Sequence, residues 1–401
     1  MDGLENPFPE GFRTQLAQTG RQYTKAPRFV NPPVYRGSTV LYPDMAQRRA
    51  GMSRRLEQAL VYGTMGSETH FALEDAVAEI EGGSRCQIVS TGLAAITTAL
   101  LAYLKAGDHC LVPDSCYEPT RSFCDKLLTR LGVSTTYYPP ASDEAGVGDL
   151  FRPNTTVLFT ESPGSHTFEM QDLPALARAA HARGAKVLMD NTWGLGFFQP
   201  FRHGVDVSIQ ALTKYAGGHS DLLLGAIITD NEGDWDRVRT ASLLIGQYAS
   251  PDDCWLALRG LRTLAVRLER HMRSGLEVAR WLAGRPEVHQ VLHPALPGAP
   301  GHEIWKRDFS GACGLFGVVF KPDYSVEATH AFVEALQLFG IGASWGGYES
   351  LALPTTGFVS RKVKGVLSQG PMVRLHIGLE DTADLIADLG RGLSALRNHR
   401  D

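Results

Sequence analysis

Between residue 65 and about 260, short apolar runs alternate with longer stretches whose apolar residues recur at helical spacing. "QIVS" precedes "LAAITTALLAYLKAG", "HCLVP" precedes "PTRSFCDKLLTRLG", and "TTVLFTESP" precedes "LPALARAAHARGA". "KVLMDNT", "DVSIQAL" and "LLLGAIITD" follow. Continuous apolar strands between amphipathic helices predict an α/β fold with a large, mainly parallel sheet covered on both faces. A long helical stretch is predicted at roughly 252–285, and a smaller α/β unit after it. Its strands include "GLFGVVF" and "MVRLHIGL"; its helices include "SVEATHAFVEALQLFG" and "DTADLIADLGRGLSALRNH". Residues 1–60 break the pattern with "PFPEGF", "APRFVNPPVYRGST" and the basic "RRAGMSRR". Such a Pro-rich arm cannot build its own core and is expected to lie on a neighbouring subunit. The expected division is an arm at 1–60, a large domain at 61–260, and a connecting helix with a C-terminal domain at 261–401.

Composition narrows the function classes. A chain of 401 residues exceeds one simple core, and 43% hydrophobic with 20% charged residues is ordinary for a globular protein. A net charge of −4 gives no global pull toward nucleic acid or an anionic membrane. The start, "MDGLENPFPEGFRTQ", has no basic-then-apolar signal pattern, and no run approaches a membrane span. The six cysteines include no CxxC pair and read as reduced thiols, which points to the cytoplasm. His166, His219 and His302 lack metal-ligand spacing, and "RSFCDK" reads as a solvated helix face.

Ligands of open parallel sheets bind beyond the strand carboxyl ends, and four candidates fall there. In "STGLAAI" (Ser90 to Ile96) a strand turns into a helix whose first amides can hold an anion; a plain N-cap is the alternative. Tyr117, after "HCLVPD", is either a plate for a planar ring or a core tyrosine. Asp190 ends the apolar run "KVLMD" and needs a cationic or hydrogen-bonding partner, or caps the next turn. Lys214, in "QALTKYAGGHSD", has no charged neighbour from Gln210 to Gly218. At the exit of a buried strand it loses hydration, which lowers its pKa and frees its amine as a nucleophile. An anion-binding helix start, an aromatic plate, a buried carboxylate and a desolvated lysine are together the parts that hold pyridoxal phosphate.

The sequence resembles the pyridoxal-phosphate enzymes of cysteine and methionine metabolism. The resemblance covers nearly the whole chain: "VYGTMGSETHFALEDAVAEIEGG", "ESPGS", "DNTWG", "VSIQALTKYAGGHSD", "RGLRTLAVRL", "HPALPG", "GHEIWKRDF", "SWGGYESL" and "VRLHIGLED". It implies a fold type I transferase-like architecture and a homo-oligomer, a tetramer built from dimers. It implies that Lys214 holds the cofactor covalently and shuttles the proton, that Asp190 pairs with the pyridine nitrogen, and that Tyr117 stacks on the ring. The Gly92 and Leu93 amides and the Thr213 hydroxyl would hold the phosphate, and Tyr62 would reach the phosphate of a neighbouring subunit's cofactor. Arg374 would fork onto the α-carboxylate of an amino-acid substrate, with Ser344, Trp345 and Trp255 lining the site.

Two positions depart from the family pattern. Thr64 stands where an arginine is common, which removes a charge-assisted partner of the phosphate worth about 1.5–3 kcal/mol, unless Arg54 or Arg55 substitutes. Trp255 stands where a tyrosine occurs in relatives of the β-lyase type. The reaction the resemblance implies is β-elimination of cystathionine, a transsulfuration step of methionine biosynthesis. The alternatives are a γ-acting relative and a non-catalytic cofactor-binding regulator.

Overall fold

The predicted alternation folds into a seven-stranded sheet. The computed structural model describes residues 7–21, 27, 29–363 and 370–399. The strands are β1 (Arg85–Val89), β2 (His109–Pro113), β3 (Ser134–Tyr138), β4 (Thr155–Glu161), β5 (Lys186–Asp190), β6 (Val207–Gln210) and β7 (Gly225–Thr229), in the order β1-β7-β6-β5-β4-β2-β3. Strands β3, β2, β4, β5 and β6 run parallel. Only β7 opposes its neighbours, β1 and β6. Val157, Leu158 and Phe159 of β4 are fully buried, and apolar clusters cover both faces of the sheet. That double burial is why these strands read as continuous apolar runs.

Helices α1 (Phe12–Gln18) and α2 (Met45–Ser53) precede the three that serve the site directly. Helix α3 (Glu68–Glu81) opens on a capping box, in which the Ser67 amide donates to His70 Nδ1 at 3.1 Å, and closes at Gly82 in the left-handed region (φ 77°). Helix α4 (Gly92–Tyr103) starts beyond β1, and α5 (Glu118–Phe123) starts beyond β2 with Tyr117 as its N-cap. The predicted helical stretch at 252–285 is two helices, Pro251–Leu261 and Leu264–Ala283.

The N-terminal segment differs from the expected detached arm. Phe8, Phe12 and Leu16 are buried in this chain's own core, with Phe8 stacked on Phe12 and Phe197 at 5.0 and 5.4 Å. The helix Phe12–Gln18 packs against α3 and the Leu264–Ala283 helix. Three aromatic and aliphatic residues at helical spacing find an apolar surface there, which the Pro-rich context hid. The open part is further on: Phe29 and Leu41 are 92% and 90% exposed, and the helix Met45–Ser53 buries no residue.

A second sheet follows, from β8 (Val288–Leu292), β9 (Leu315–Phe320), β10 (Gly340–Ile341), β11 (Leu351–Pro354) and β12 (Met372–His376), in the order β10-β11-β12-β9-β8. Arg374 of β12 faces Leu353 and Gly317 in register. A Cβ at Gly317 would stand 3.1 Å from the His166 carbonyl, so this sheet abuts the loop that follows β4.

Candidate active site

Adjacent parallel strands deliver the central groups side by side. Glu161 ends β4, Asp190 ends β5, and the two are register partners. Lys214 follows the end of β6, four residues past Gln210. The Thr192 hydroxyl donates to Asp190 Oδ1 at 2.6 Å and the Thr192 amide adds a second bond at 3.0 Å. The same hydroxyl accepts from the Ala211 amide at 3.0 Å, and the Lys214 amide donates to the Ala211 carbonyl at 3.1 Å. Thr192 thus ties the Asp190 carboxylate to the turn that carries Lys214.

Lys214 meets the C-terminal part of the chain. Its Nζ donates to Ser344 Oγ at 2.6 Å and lies 5.5 Å from the centre of the Trp345 ring. Ser344 adopts φ 75°, a left-handed conformation uncommon for a side-chain-bearing residue. Gly346 presses on the lysine's backbone: a Cβ there would stand 2.7 Å from the Tyr215 nitrogen and 3.0 Å from the Lys214 Cα. His376 Nε2 holds this loop, 3.1 Å from both the Gly346 amide and the Gly347 carbonyl. Arg374 Nη2 donates to the Ser344 carbonyl at 3.1 Å.

Electrostatics follow from this crowding. Burial, and next the positive field of Arg374, push the Lys214 ammonium down to about 8, against the pull of Asp190. Burial raises Asp190, while the Thr192 bonds and Lys214 work against it. Burial and then Asp190 push Glu161 up to about 8. Tyr117 is raised by burial and by the charges of Asp190 and Glu161, with Arg374 opposing. Burial lowers Arg374 to about 10 and His376 to about 4, so the histidine is a neutral spacer.

Glu161 escaped the reading of the sequence. It accepts from the Tyr117 amide at 2.7 Å and from Ser165 Oγ at 2.8 Å, and so fixes the plate residue to the β4 exit. The signal was present: "TTVLFTE" and "KVLMD" both close an apolar strand on a carboxylate. The Tyr117 ring is 42% exposed and free to cover a ligand. At α4, Thr91 is the N-cap, accepting from the Ala94 amide at 3.0 Å. The first amides, at Gly92 and Leu93, have no intrahelical acceptor and remain for an anion. Gly92 is required by space: a Cβ would meet Ala211 Cβ at 2.6 Å.

Three expected residues stand elsewhere. The Thr213 hydroxyl donates to the Leu224 carbonyl at 3.2 Å and accepts from its amide at 3.1 Å, which ties it to the strand-exit backbone. Trp255 donates its indole N–H to the Pro32 carbonyl at 3.0 Å; within one chain it anchors the N-terminal segment and does not join the Lys214 cluster. Tyr62 is 47% exposed and makes no hydrogen bond to the Lys214 cluster among the described residues. Near Thr64, Arg54 is paired with Glu57 at 2.7 Å, and buried Arg239 donates to the Met65 carbonyl at 2.6 Å, fixing the loop after Tyr62. "RSFCDK" is not a solvated face throughout, since Arg121 is buried against Asp114 at 2.8 Å and Cys124 is fully buried. Among the described residues, no helix is long and apolar enough to cross a membrane.

The donor set fits pyridoxal phosphate: an amine whose pKa burial brings down to about 8, a carboxylate awaiting a cationic partner, an open aromatic plate and free helix-start amides. The chain belongs to the Cys/Met metabolism PLP-dependent enzyme family, which residues 13–394 match. Its cofactor is pyridoxal phosphate, and its architecture is that of the fold type I enzymes. A Rhizobium johnstonii protein is 49% identical over 96% of both chains. The cystathionine β-lyase of Bordetella avium is 46% identical, with 91% of this chain and 92% of the relative covered. The crystal structure of metB from Corynebacterium glutamicum superposes with a TM-score of 0.88 at 30% identity, covering 98% of this chain and 100% of that one.

Proposed function

We propose that this protein is a carbon–sulfur lyase that converts L-cystathionine and water to homocysteine, pyruvate and ammonia. The observation that carries the reading is the Lys214–Ser344 hydrogen bond, which joins the amine to the loop that Arg374 holds through the Ser344 carbonyl, beside Asp190 and Tyr117. The similarity to curated cystathionine β-lyases supports the choice of substrate.

When bound, pyridoxal phosphate supplies an electron sink that acidifies the Cα–H of an amino acid. Asp190 would keep the ring nitrogen protonated, with Thr192 holding its carboxylate at the strand exit. Tyr117 would cover the ring, and the Gly92 and Leu93 amides would receive the phosphate. Arg374 takes the α-carboxylate in a two-pronged grip and so orients Cα toward Lys214. Lys214 Nζ removes the Cα proton, with Ser344 Oγ aiming the amine. The Cβ–S bond then breaks with its electron pair on sulfur, the thiolate takes a proton from the Lys214 ammonium, and water hydrolyses the remaining three-carbon enamine to pyruvate and ammonia.

The exposed segment around Phe29, Leu41 and Tyr62 supports a homo-oligomer in which this segment completes a neighbour's site, and a tetramer of such dimers. Work in the cytoplasm within methionine biosynthesis is consistent with homocysteine as the product. The test is a product assay on purified protein with cystathionine: pyruvate and homocysteine support the proposal, whereas 2-oxobutyrate and cysteine assign cleavage to the γ-position.

A further inference from the structure

Glu81, the last residue of α3, is fully buried and forms no ion pair with a lysine, arginine or histidine among the described residues. An isolated buried carboxylate is costly, and burial pushes this one up to about 7. It persists because three side chains converge on it. Gln210 Nε2 donates to Oε1 at 2.8 Å and Ser208 Oγ to Oε2 at 2.6 Å. Asn191 Nδ2 stands 3.2 and 3.0 Å from the two oxygens. Ser208 and Gln210 lie on β6, which leads into Lys214; Asn191 directly follows Asp190.

The bonds continue toward the chemistry. Gln210 Nε2 also donates to the Asn191 carbonyl at 2.8 Å, and the Asn191 amide to the Ile209 carbonyl at 2.9 Å. One step beyond, Thr192 Oγ1 bridges the Ala211 amide and Asp190 Oδ1. The β5–β6 seam therefore runs past the end of its ladder as far as the Lys214 turn, and Glu81 is the acceptor at its base. A glutamine could not replace it unchanged, because its amide would present donors to donors.

We propose that Glu81 is a positioning residue, whose carboxylate clamps the β5 and β6 exits together and thereby fixes the separation of Asp190 and Lys214. This inference rests on Asp190 and Lys214 being the cofactor-facing pair. The two ideas fail differently: if that pair is misassigned, Lys214→Ala keeps covalent cofactor and turnover, whatever Glu81 does.

The test compares wild type, Glu81→Gln, Ser208→Ala and Glu81→Asp, which keeps a carboxylate as the acceptor and leaves Gln210 free to donate to the Asn191 carbonyl. Hydrogen exchange is measured on cofactor-free protein, and kinetics on the holoenzyme. Glu81→Gln should raise exchange at 187–192 and 207–214 but not in the Leu264–Ala283 helix. Its kcat should fall about 10-fold or more with KM within about 2-fold, since small misplacements of reacting groups are expensive in rate. Ser208→Ala should move both readouts the same way but less, and Glu81→Asp should lose less kcat than Glu81→Gln. A folded Glu81→Gln protein with wild-type kcat overturns the proposal. If that variant fails to fold, a Ser208→Ala protein with unchanged exchange and kcat overturns it.

Discussion

Lys214 and Ser344 are 130 residues apart in sequence and joined by a 2.6 Å hydrogen bond. The bond aims the amine's lone pair once the amine is neutral. Ser344→Ala should lower kcat about 10-fold with little change in KM, the loss of a bond worth about 1.5–3 kcal/mol when one partner is charged. Steady-state kinetics with cystathionine check this; an unchanged kcat would remove Ser344 from the aiming role.

Lys214 itself should titrate far below an ordinary lysine. Burial and Arg374 bring it to about 8 from 10.5. In cofactor-free protein its reaction with an amine-directed reagent should therefore rise through about pH 8 and be largely complete at pH 9. Lys214→Ala should lose both the labelled peptide and covalent cofactor, and keep the thermal transition of the cofactor-free protein.

Arg374→Ala should reduce kcat/KM by about 30-fold or more, because truncating one partner of a buried charged pair costs at least about 2 kcal/mol. Arg374→Lys should recover little, since an ammonium cannot fork onto a carboxylate. The same kinetics with a substrate analogue lacking the α-carboxylate should show a much smaller difference between wild type and Arg374→Ala, the remainder coming from the effect of Arg374 on Lys214 and Ser344.

How much of this was legible in the sequence depended on how local each signal was. Lys214, Asp190 and Tyr117 sit at or just past the ends of buried strands of four or five residues, and such strands announce their exits without help from the rest of the fold. Glu161 obeyed the same rule, but it was taken up in the family motif "ESPGS" without a role of its own. The partners of Trp255 and Thr213 were beyond reach, because Pro32 and Leu224 meet them only through tertiary packing. Phe8 and Phe12 failed for the converse reason: their own neighbourhood is Pro-rich, while the surface that buries them includes Phe197.

Glu161 predicts a pH effect on the cofactor-free protein. Its folded pKa of about 8 lies above the usual 4.5, so the folded state holds a proton that the unfolded state has lost. That contribution to stability is fully present below about pH 4.5 and is lost as pH rises through about 8. Glu161→Gln cannot titrate, so its melting temperature should fall less steeply between pH 5 and 8 than that of wild type. Equal slopes in a pH series of thermal melts would show that Glu161 ionises normally.

Tyr62 tests the subunit arrangement. Tyr62→Phe and Lys214→Ala proteins, each of low activity, should recover activity when mixed under subunit exchange, because one site in the mixed dimer would be intact. No recovery, with exchange verified by mass, would place Tyr62 outside the neighbour's site.

Gly346 lies with its Cα so close to Lys214 that no side chain fits between them. The loop from Ser344 to Gly347 is therefore packed directly against the backbone of the β6 exit. A rocking of the second sheet away from the first would pull Ser344 off the amine and carry Arg374 with it. Opening the cleft for product escape would in this way disarm the base and loosen the carboxylate grip in the same movement, so that an open enzyme is also a safe one.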